Sequence, residues 1–246
     1  MSMKDKIKLE SVTLLAIDCV NLERVKKVME ICLNYFEFTE VKILTSLTAN
    51  DSANLYKIAP IKSTEEYSSF IINELYKYID TTHVLIIQYD GFILNPKAWT
   101  DDFLKYDYLG APWLVADWSV DKYDFPAELL GKYVVGNGGF SLRSKKLLSL
   151  TANLSQQGKL KKYHPEDVSI CVYYRELLEK NGIKFAPIDL AKQFSFEGES
   201  LDNYAWNNQF GFHGLKWTDI SKWSKLNEEY KIDNPATDEL EIVKYL

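Results

Sequence analysis

The segment His83-Val84-Leu85-Ile86-Ile87 runs directly into Gln88-Tyr89-Asp90-Gly91. Four aliphatic side chains in a row point alternately to opposite sides of a strand, so such a strand must be covered on both faces, as inside a parallel sheet. Open α/β sheets bind ligands outside the carboxyl ends of their strands, where Asp90 falls. Gly91 lets a backbone or ligand come close, and a carboxylate at that place suits a divalent cation held against phosphate. The same residues also read as a hairpin turn, because Asp-Gly between two apolar runs is a strong turn signal. Both readings remain open at this point.

The flanking chain favours the sheet. Val12 to Asp18 reads as a first buried strand, and Asn21 caps a helix carrying Leu22, Val25, Met29, Cys32 and Phe36 at helical spacing. Val41 to Leu44 and Asn54 to Ile58 read as further strands. Ser63-Thr64-Glu65-Glu66 has capping-box spacing before Tyr67, Phe70, Ile71, Leu75 and Tyr78. Strand and helix in alternation predict a parallel sheet with right-handed crossovers. Beyond it the pattern is less regular. Asp107 to Pro126 reads as a long functional loop. Lys132 to Leu142 is strand-like but broken by Gly136-Asn137-Gly138-Gly139. His164-Pro165-Glu166-Asp167 opens a helix running to Lys180 and closed by Asn181-Gly182, and Ile183 to Pro187 reads as another strand. The tail holds Trp217, Trp223, Leu226 and Tyr230, then a short helix after Thr237.

Composition narrows the function. With 35 acidic against 29 basic residues the net charge is −6, which argues against a dedicated duplex-DNA binder. Cys19, Cys32 and Cys171 are far apart and odd in number, so neither a disulfide framework nor a zinc site is expected. Met1 to Lys6 lacks an apolar signal core, and no run of about 18 apolar residues occurs, so a cytoplasmic protein without a membrane span is expected.

Three further features carry chemistry. Glu166 and Asp167 fall in the first turn of a helix, where carboxylates stabilise the helix dipole and where an ionised base is also well kept. His213 lies between glycines in Phe210-Gly211-Phe212-His213-Gly214, which fits either a hydrogen-bonded core residue or a loop delivering an imidazole to a metal. Three glycines within Gly136 to Gly139 mark a backbone that must stay thin, under a bound sugar or at a plain bend. The loop lacks G-x-G-x-x-G spacing and a P-loop Lys, which disfavours Rossmann and P-loop chemistry.

Gln88-Tyr89-Asp90-Gly91, Tyr108-Leu109-Gly110-Ala111-Pro112-Trp113, Gly136-Asn137-Gly138-Gly139-Phe140-Ser141-Leu142-Arg143, Glu166-Asp167 and Phe212-His213-Gly214 occur in this order. Together they resemble a family of GT-A-type glycosyltransferase-like proteins of bacteria and viruses. The resemblance implies an α/β, GT-A-like fold, with a mostly parallel central sheet and helices on both faces. One domain is expected over residues 1–218, with 219–246 a helical tail packing on it or on a partner. A nucleotide-sugar donor (a UDP-sugar foremost) and a divalent metal, Mn²⁺ or Mg²⁺, held by a D-x-D motif are implied. Here Gln88 replaces the first carboxylate, leaving Asp90, with His213, to hold the metal, and Gln88 to ligate through its carbonyl or reach the ribose. Asp18 would line the nucleotide base, Trp113 stack on a sugar, and Gly138 and Gly139 lie beneath one. Glu166-Asp167 resembles the E-D motif that supplies the base of inverting β-glycosyltransferases. Asp167 is favoured as that base, with Glu166 bonding the acceptor or supporting the loop. The expected acceptor is a hydroxyl of a small sugar, glycan or glycolipid. Modified DNA comes second, reached through Lys145, Lys146, Lys159, Lys161 and Lys162. The alternatives are a non-catalytic carbohydrate- or nucleotide-binding module and a metal-dependent phosphotransferase or sugar-phosphate hydrolase.

Overall fold

The computed structural model of the chain describes residues 6–48, 54–198 and 204–232. Strand β1 (Ile7–Ile17) leads through helix α1 (Leu22–Tyr35) to β2 (Phe36–Thr45), and β3 (Leu55–Lys57) to α2 (Thr64–Asn73) and β4 (His83–Ile87). After β4 come β5 (Tyr108–Gly110), β6 (Pro112–Leu114), α3 (Asp117–Tyr123), β7 (Tyr133–Val135), β8 (Ser141–Ser144) and α4 (Lys145–Gln156). The chain continues with α5 (Glu166–Val168), α6 (Arg175–Lys180), α7 (Ile188–Phe194), β9 (Ser195–Glu197), β10 (Gly211–His213) and α8 (Leu226–Glu229).

Six strands form the central sheet in the order β3-β2-β1-β4-β8-β5. Parallel pairing joins β3 to β2, β2 to β1 and β1 to β4, and β8 runs antiparallel between β4 and β5. The sheet is therefore mostly parallel, and β4 lies inside it. Every residue of β4 is buried. Leu85 and Ile87 enter one apolar cluster with Leu14, Ala16, Ile43 and the inner face of α1, whereas Val84 and Ile86 enter another with Leu15, Leu44, Ile71 and Leu75. Burying each such side chain contributes about 1.5–3 kcal/mol, which is why the aliphatic run takes the middle of a sheet covered on both faces.

Local caps match the sequence. Asn21 accepts from the amides of Glu23 and Arg24, and Ser63 accepts from that of Glu66. The carboxylate of Glu66 reaches back to the amide of Lys62. Asn181 closes α6, with Gly182 at φ +82°.

Four expectations change. Asp107 to Pro126 is no loop: β5 pairs with β8, β6 pairs with β7 in a separate ribbon, and α3 packs Val120 and Tyr123 beside Val115, Phe125 and Val134. Strands of three residues are too short to show a period. The Glu166 helix does not run unbroken, because a π-helical turn at Ser169–Tyr173 and a non-helical Tyr174 (φ −113°, ψ 10°) separate α5 from α6. Pro165 stands outside the helix as its extended N-cap rather than as its first residue. Ile183 to Pro187 runs beside β5 through a single bridge, Tyr108 to Phe185, and Pro187 caps α7. Helix α4, with Ser144 accepting from the amide of Leu147, occupies a stretch where the sequence reading placed no element.

Trp223, Leu226, Tyr230 and Ile232 pack against the main core, and Lys27 on α1 donates to the carbonyl of Lys231. The helix expected after Thr237 lies outside the described residues. Among the described residues, no helix is long and apolar enough to cross a membrane.

Phe210 leads into β10 from the centre of an aromatic cluster. Its ring lies 5.7 Å from Phe36, 5.3 Å from Trp99, 5.9 Å from Phe140 and 5.7 Å from Phe194. Gly211 must follow it, since a Cβ there would stand 2.4 Å from the Phe140 ring and 2.9 Å from the Phe92 carbonyl oxygen. Gly211→Ala is expected to destabilise the protein by about 1–3 kcal/mol through overpacking. Chemical denaturation tests this, and an unchanged midpoint would contradict it.

Candidate active site

Gln88 and Gly91 exchange both backbone hydrogen bonds, each 3.0 Å, so Tyr89 and Asp90 form a tight turn at the carboxyl end of β4. The segment is thus a turn, and it stands at the end of a strand inside the main sheet. The chain then runs back beside β10, where Ile93 bridges Gly211 and the Gly214 amide donates to the Asp90 carbonyl at 2.8 Å. This return brings His213 over the Asp90 turn. His213 Nε2 lies 3.7 Å from Asp90 Oδ1 and 3.1 Å from Gln88 Oε1. Gln88 presents that carbonyl because its amide nitrogen donates to the Tyr67 hydroxyl at 3.2 Å.

On the other side of the ring, Nδ1 is 2.9 Å from Glu197 Oε1 and 2.9 Å from Asn137 Nδ2. Glu197 went unnoticed in the sequence, where an isolated Glu in Ser195-Phe196-Glu197 carries no motif. Only the parallel β9–β10 pairing, with Glu197 opposite His213, brings it in. Its second oxygen accepts from the Trp113 indole at 2.9 Å. Burial opposes charge on His213, but the carboxylate of Asp90 and then that of Glu197 outweigh it, pushing its pKa up to about 9. The other two histidines lie elsewhere: His83 Nε2 is 3.1 Å from the Tyr106 carbonyl, and His164 Nδ1 is 3.0 Å from Ser68 Oγ.

The glycine loop separates this cluster from the second pair of acids. Asn137 holds it at φ +59°, and its Oδ1 accepts from the amide of Phe140 at 3.1 Å. The Tyr108 hydroxyl donates to the Asn137 carbonyl at 2.9 Å. Gly138 and Gly139 are buried, and the protein's own side chains fill the space a Cβ would need. At Gly138 that atom would stand 2.1 Å from Glu166 Oε1, and at Gly139 it would stand 2.0 Å from His213 Nε2. On the side where a Cβ would stand, the thin backbone admits Glu166 and His213. Gly136 is thin for the same kind of reason, with the Trp113 ring 2.3 Å from where its Cβ would be.

Glu166 and Asp167 diverge. Glu166 is 6% exposed, and its Oε1 lies 2.8 Å from Nη2 of Arg143, itself fully buried. Asp167 is half-buried; its Oδ2 accepts from the Gly138 amide at 3.0 Å and its Oδ1 from the Val168 amide at 2.8 Å. Burial first, and the neighbouring Glu166 charge second, push the Asp167 carboxyl up to about 7.

Asp18 also sits at a strand end, at the close of β1, but both of its oxygens are occupied. Oδ1 accepts from the amides of Val20 and Asn21, and Oδ2 from Arg24 Nε at 2.9 Å. Arg24 in turn covers the Tyr89 ring, 3.9 Å from its centroid. The structure thus brings Gln88, Asp90 and His213 together, sets Asp167 across the glycine loop from them, and gives Asp18 and Glu166 structural partners. Lys145 lies 3.8 Å from Asp80 and Lys146 3.6 Å from Asp107, so these two lysines face acids of the protein itself.

Asp90, Gln88 and His213 form a mixed oxygen and nitrogen donor set, which suits Mn²⁺ or Mg²⁺ better than a thiophilic metal. Among the described residues, no group of three or more His, Cys, Asp or Glu side chains stands in a metal-holding arrangement; the third donor beside Asp90 and His213 is the amide oxygen of Gln88.

The fold and site define a mixed α/β protein with a carboxylate–imidazole cluster at the carboxyl end of a central strand. The chain belongs to the family described as a protein of unknown function (DUF5672), whose family model matches residues 52–213 and so ends on this histidine. No curated protein matches the chain. Among solved structures it is similar to the galactosyltransferase LgtC in complex with donor and acceptor sugar analogs, at 13% identity and a TM-score of 0.47, covering 94% of this chain and 99% of that one. An active-site mutant of LgtC gives the same identity, score and coverage.

The raised His213 pKa carries a sign. In metal-free protein, stability from its charged form is fully present below the ordinary value of 6.5 and is lost as pH rises through about 9. The stability difference between wild type and His213→Gln, from urea melts, should therefore shrink across that window. Equal differences at about pH 6 and about pH 10 would contradict it.

Proposed function

We propose that this protein is a metal-dependent glycosyltransferase, moving a sugar from a nucleotide-sugar donor to a hydroxyl acceptor with inversion. The observation that carries the reading is the meeting of Asp90, Gln88 and His213 at the end of β4, with Asp167 across the Gly138–Gly139 loop. The resemblance of the motifs to GT-A-type enzymes supports it.

Asp90 Oδ1, His213 Nε2 and the Gln88 carbonyl would hold Mn²⁺ or Mg²⁺. Such an ion, when bound, neutralises negative charge growing on a departing diphosphate. Asp167 would take the proton of the acceptor hydroxyl. A carboxyl titrating near neutral pH suits that task, because it is ionised enough to accept and basic enough to pull. The Gly138 amide, donating to Oδ2, fixes the direction in which the carboxylate points. Glu166 supports rather than reacts, since Arg143 holds it in the interior. Trp113, with its indole N–H committed to Glu197, would offer its ring to a sugar. A single displacement assisted by a base on the acceptor side inverts the anomeric carbon. Asp18, through Arg24 and Tyr89, shapes the neighbouring strand ends where the nucleoside would lie. A UDP-sugar is the first donor to assay, and a small sugar, glycan or glycolipid the first acceptor.

Two substitutions separate the adjacent acids. Asp167→Asn should leave donor affinity intact and cut the transfer rate by at least ~10². Glu166→Ala strands a buried guanidinium and should cost about 3–5 kcal/mol of stability. Labelled-sugar transfer and denaturant melts measure both, and full activity in Asp167→Asn or a retained product anomer refutes the mechanism. Asp90→Ala should likewise abolish Mn²⁺-dependent protection by a UDP-sugar in thermal melts, and unchanged protection would remove Asp90 from the metal site.

A further inference from the structure

An imidazole can ligate a cation through Nε2 only when its remaining proton sits on Nδ1, so whatever faces Nδ1 decides whether His213 is a ligand. Two groups compete for that nitrogen at equal distance. Glu197 Oε1, an acceptor, is 2.9 Å away; Asn137 Nδ2, a donor, is also 2.9 Å away. The acceptor favours a proton on Nδ1 and a lone pair on Nε2, facing Asp90 and Gln88. The donor favours the opposite tautomer, with a proton on Nε2 that blocks ligation. The Nε2 side also draws the proton, through the Gln88 carbonyl at 3.1 Å and, farther off, the Asp90 carboxylate at 3.7 Å. A hydrogen bond to a carboxylate is about twice as strong as one between neutral groups, so Glu197, bonded at 2.9 Å, prevails over both Asn137 and Gln88.

Glu197 is also held in place to do this. It stands opposite His213 in the β9–β10 register, and the Trp113 indole donates to its other oxygen. The hydroxyl of Thr218 pins the ends of both strands, donating to the His213 carbonyl at 3.2 Å and accepting from the Gly198 amide at 2.9 Å. We propose that Glu197 is the positioning residue of this site, selecting the His213 tautomer whose Nε2 can meet a divalent cation beside Asp90. The inference rests on the metal-holding reading of Asp90 and His213, but tautomer selection itself can be read without any metal.

The test uses full-length protein with ¹⁵N-labelled histidine, recorded metal-free at alkaline pH where the ring is neutral, alongside Mn²⁺ titration followed by electron paramagnetic resonance. Wild type should carry its proton on Nδ1. Glu197→Ala should hand that nitrogen to Asn137, move the proton to Nε2 and weaken Mn²⁺ binding by about 10–100-fold. Glu197→Gln keeps the size and folds even if the alanine variant does not. Its neutral carbonyl competes with Asn137 on even terms, so a mixed tautomer population and a several-fold loss of Mn²⁺ affinity are expected. A ring still protonated on Nδ1 in these variants would overturn the proposal, even if wild type binds Mn²⁺ well. Wild type that binds no Mn²⁺, while its proton still moves on substitution, would instead overturn the metal reading and leave the tautomer selection standing.

Discussion

Arg143 enters the interior with its guanidinium fully enclosed, and the Glu166 carboxylate is what makes that tolerable. Removing an unpaired charge from water costs several kcal/mol, so the pair is kept only where further partners share the load. Here Ser141 Oγ accepts from Nε at 3.0 Å, the Gly138 carbonyl accepts from Nη2 at 3.3 Å, and the Tyr108 ring lies 5.0 Å from the guanidinium carbon. The result is mechanical. Arg143 belongs to β8, which lies between β4 and β5 in the central sheet, and Glu166 opens α5, so the pair bolts the first turn of a short helix to that sheet. Asp167 inherits its position from that bolt.

The glycine loop serves the same end by subtraction. Gly138 leaves room for Glu166 and Arg143, and Gly139 leaves room for His213 and Gln88. One dipeptide thus lets the two acid-bearing halves of the site approach from either side, and a side chain on either glycine would push one half away. Tyr108 and Asn137 hold the loop from below, which ties the Tyr108–Trp113 motif to it physically as well as in chain order.

Features with a local cause were readable from the sequence. The fully buried β4, the Asn21 and Ser63 caps and the Asn181-Gly182 stop follow from apolar runs, side-chain oxygens before helices and a glycine after one. Features created by distant pairing were not. Glu197 acquires its place only when β9 meets β10, Arg143 only when β8 threads between β4 and β5, and the β6–β7 ribbon only when two three-residue strands find each other across α3. The glycines marked a thin backbone, and the protein's own Glu166 and His213 side chains lie where their Cβ atoms would be. A sequence shows that a backbone must be thin without showing what lies against it.

The π-helical turn at Ser169–Tyr173 has a consequence for how this site can vary. A π turn is an α-helix carrying one extra residue, and such turns recur at functional sites. Each residue of an α-helix advances the side-chain direction by about 100°, so losing one residue from this turn would rotate everything on one side of it relative to the other. Because α6 is packed through Leu178 in the main core while Glu166 is bolted to Arg143, neither end can absorb that rotation. The chain between Asp167 and Arg175, whose Val168, Ser169, Ile170 and Cys171 are buried, is therefore expected to tolerate no change of length. Its residue count works as a phase lock between the core and the first turn of α5.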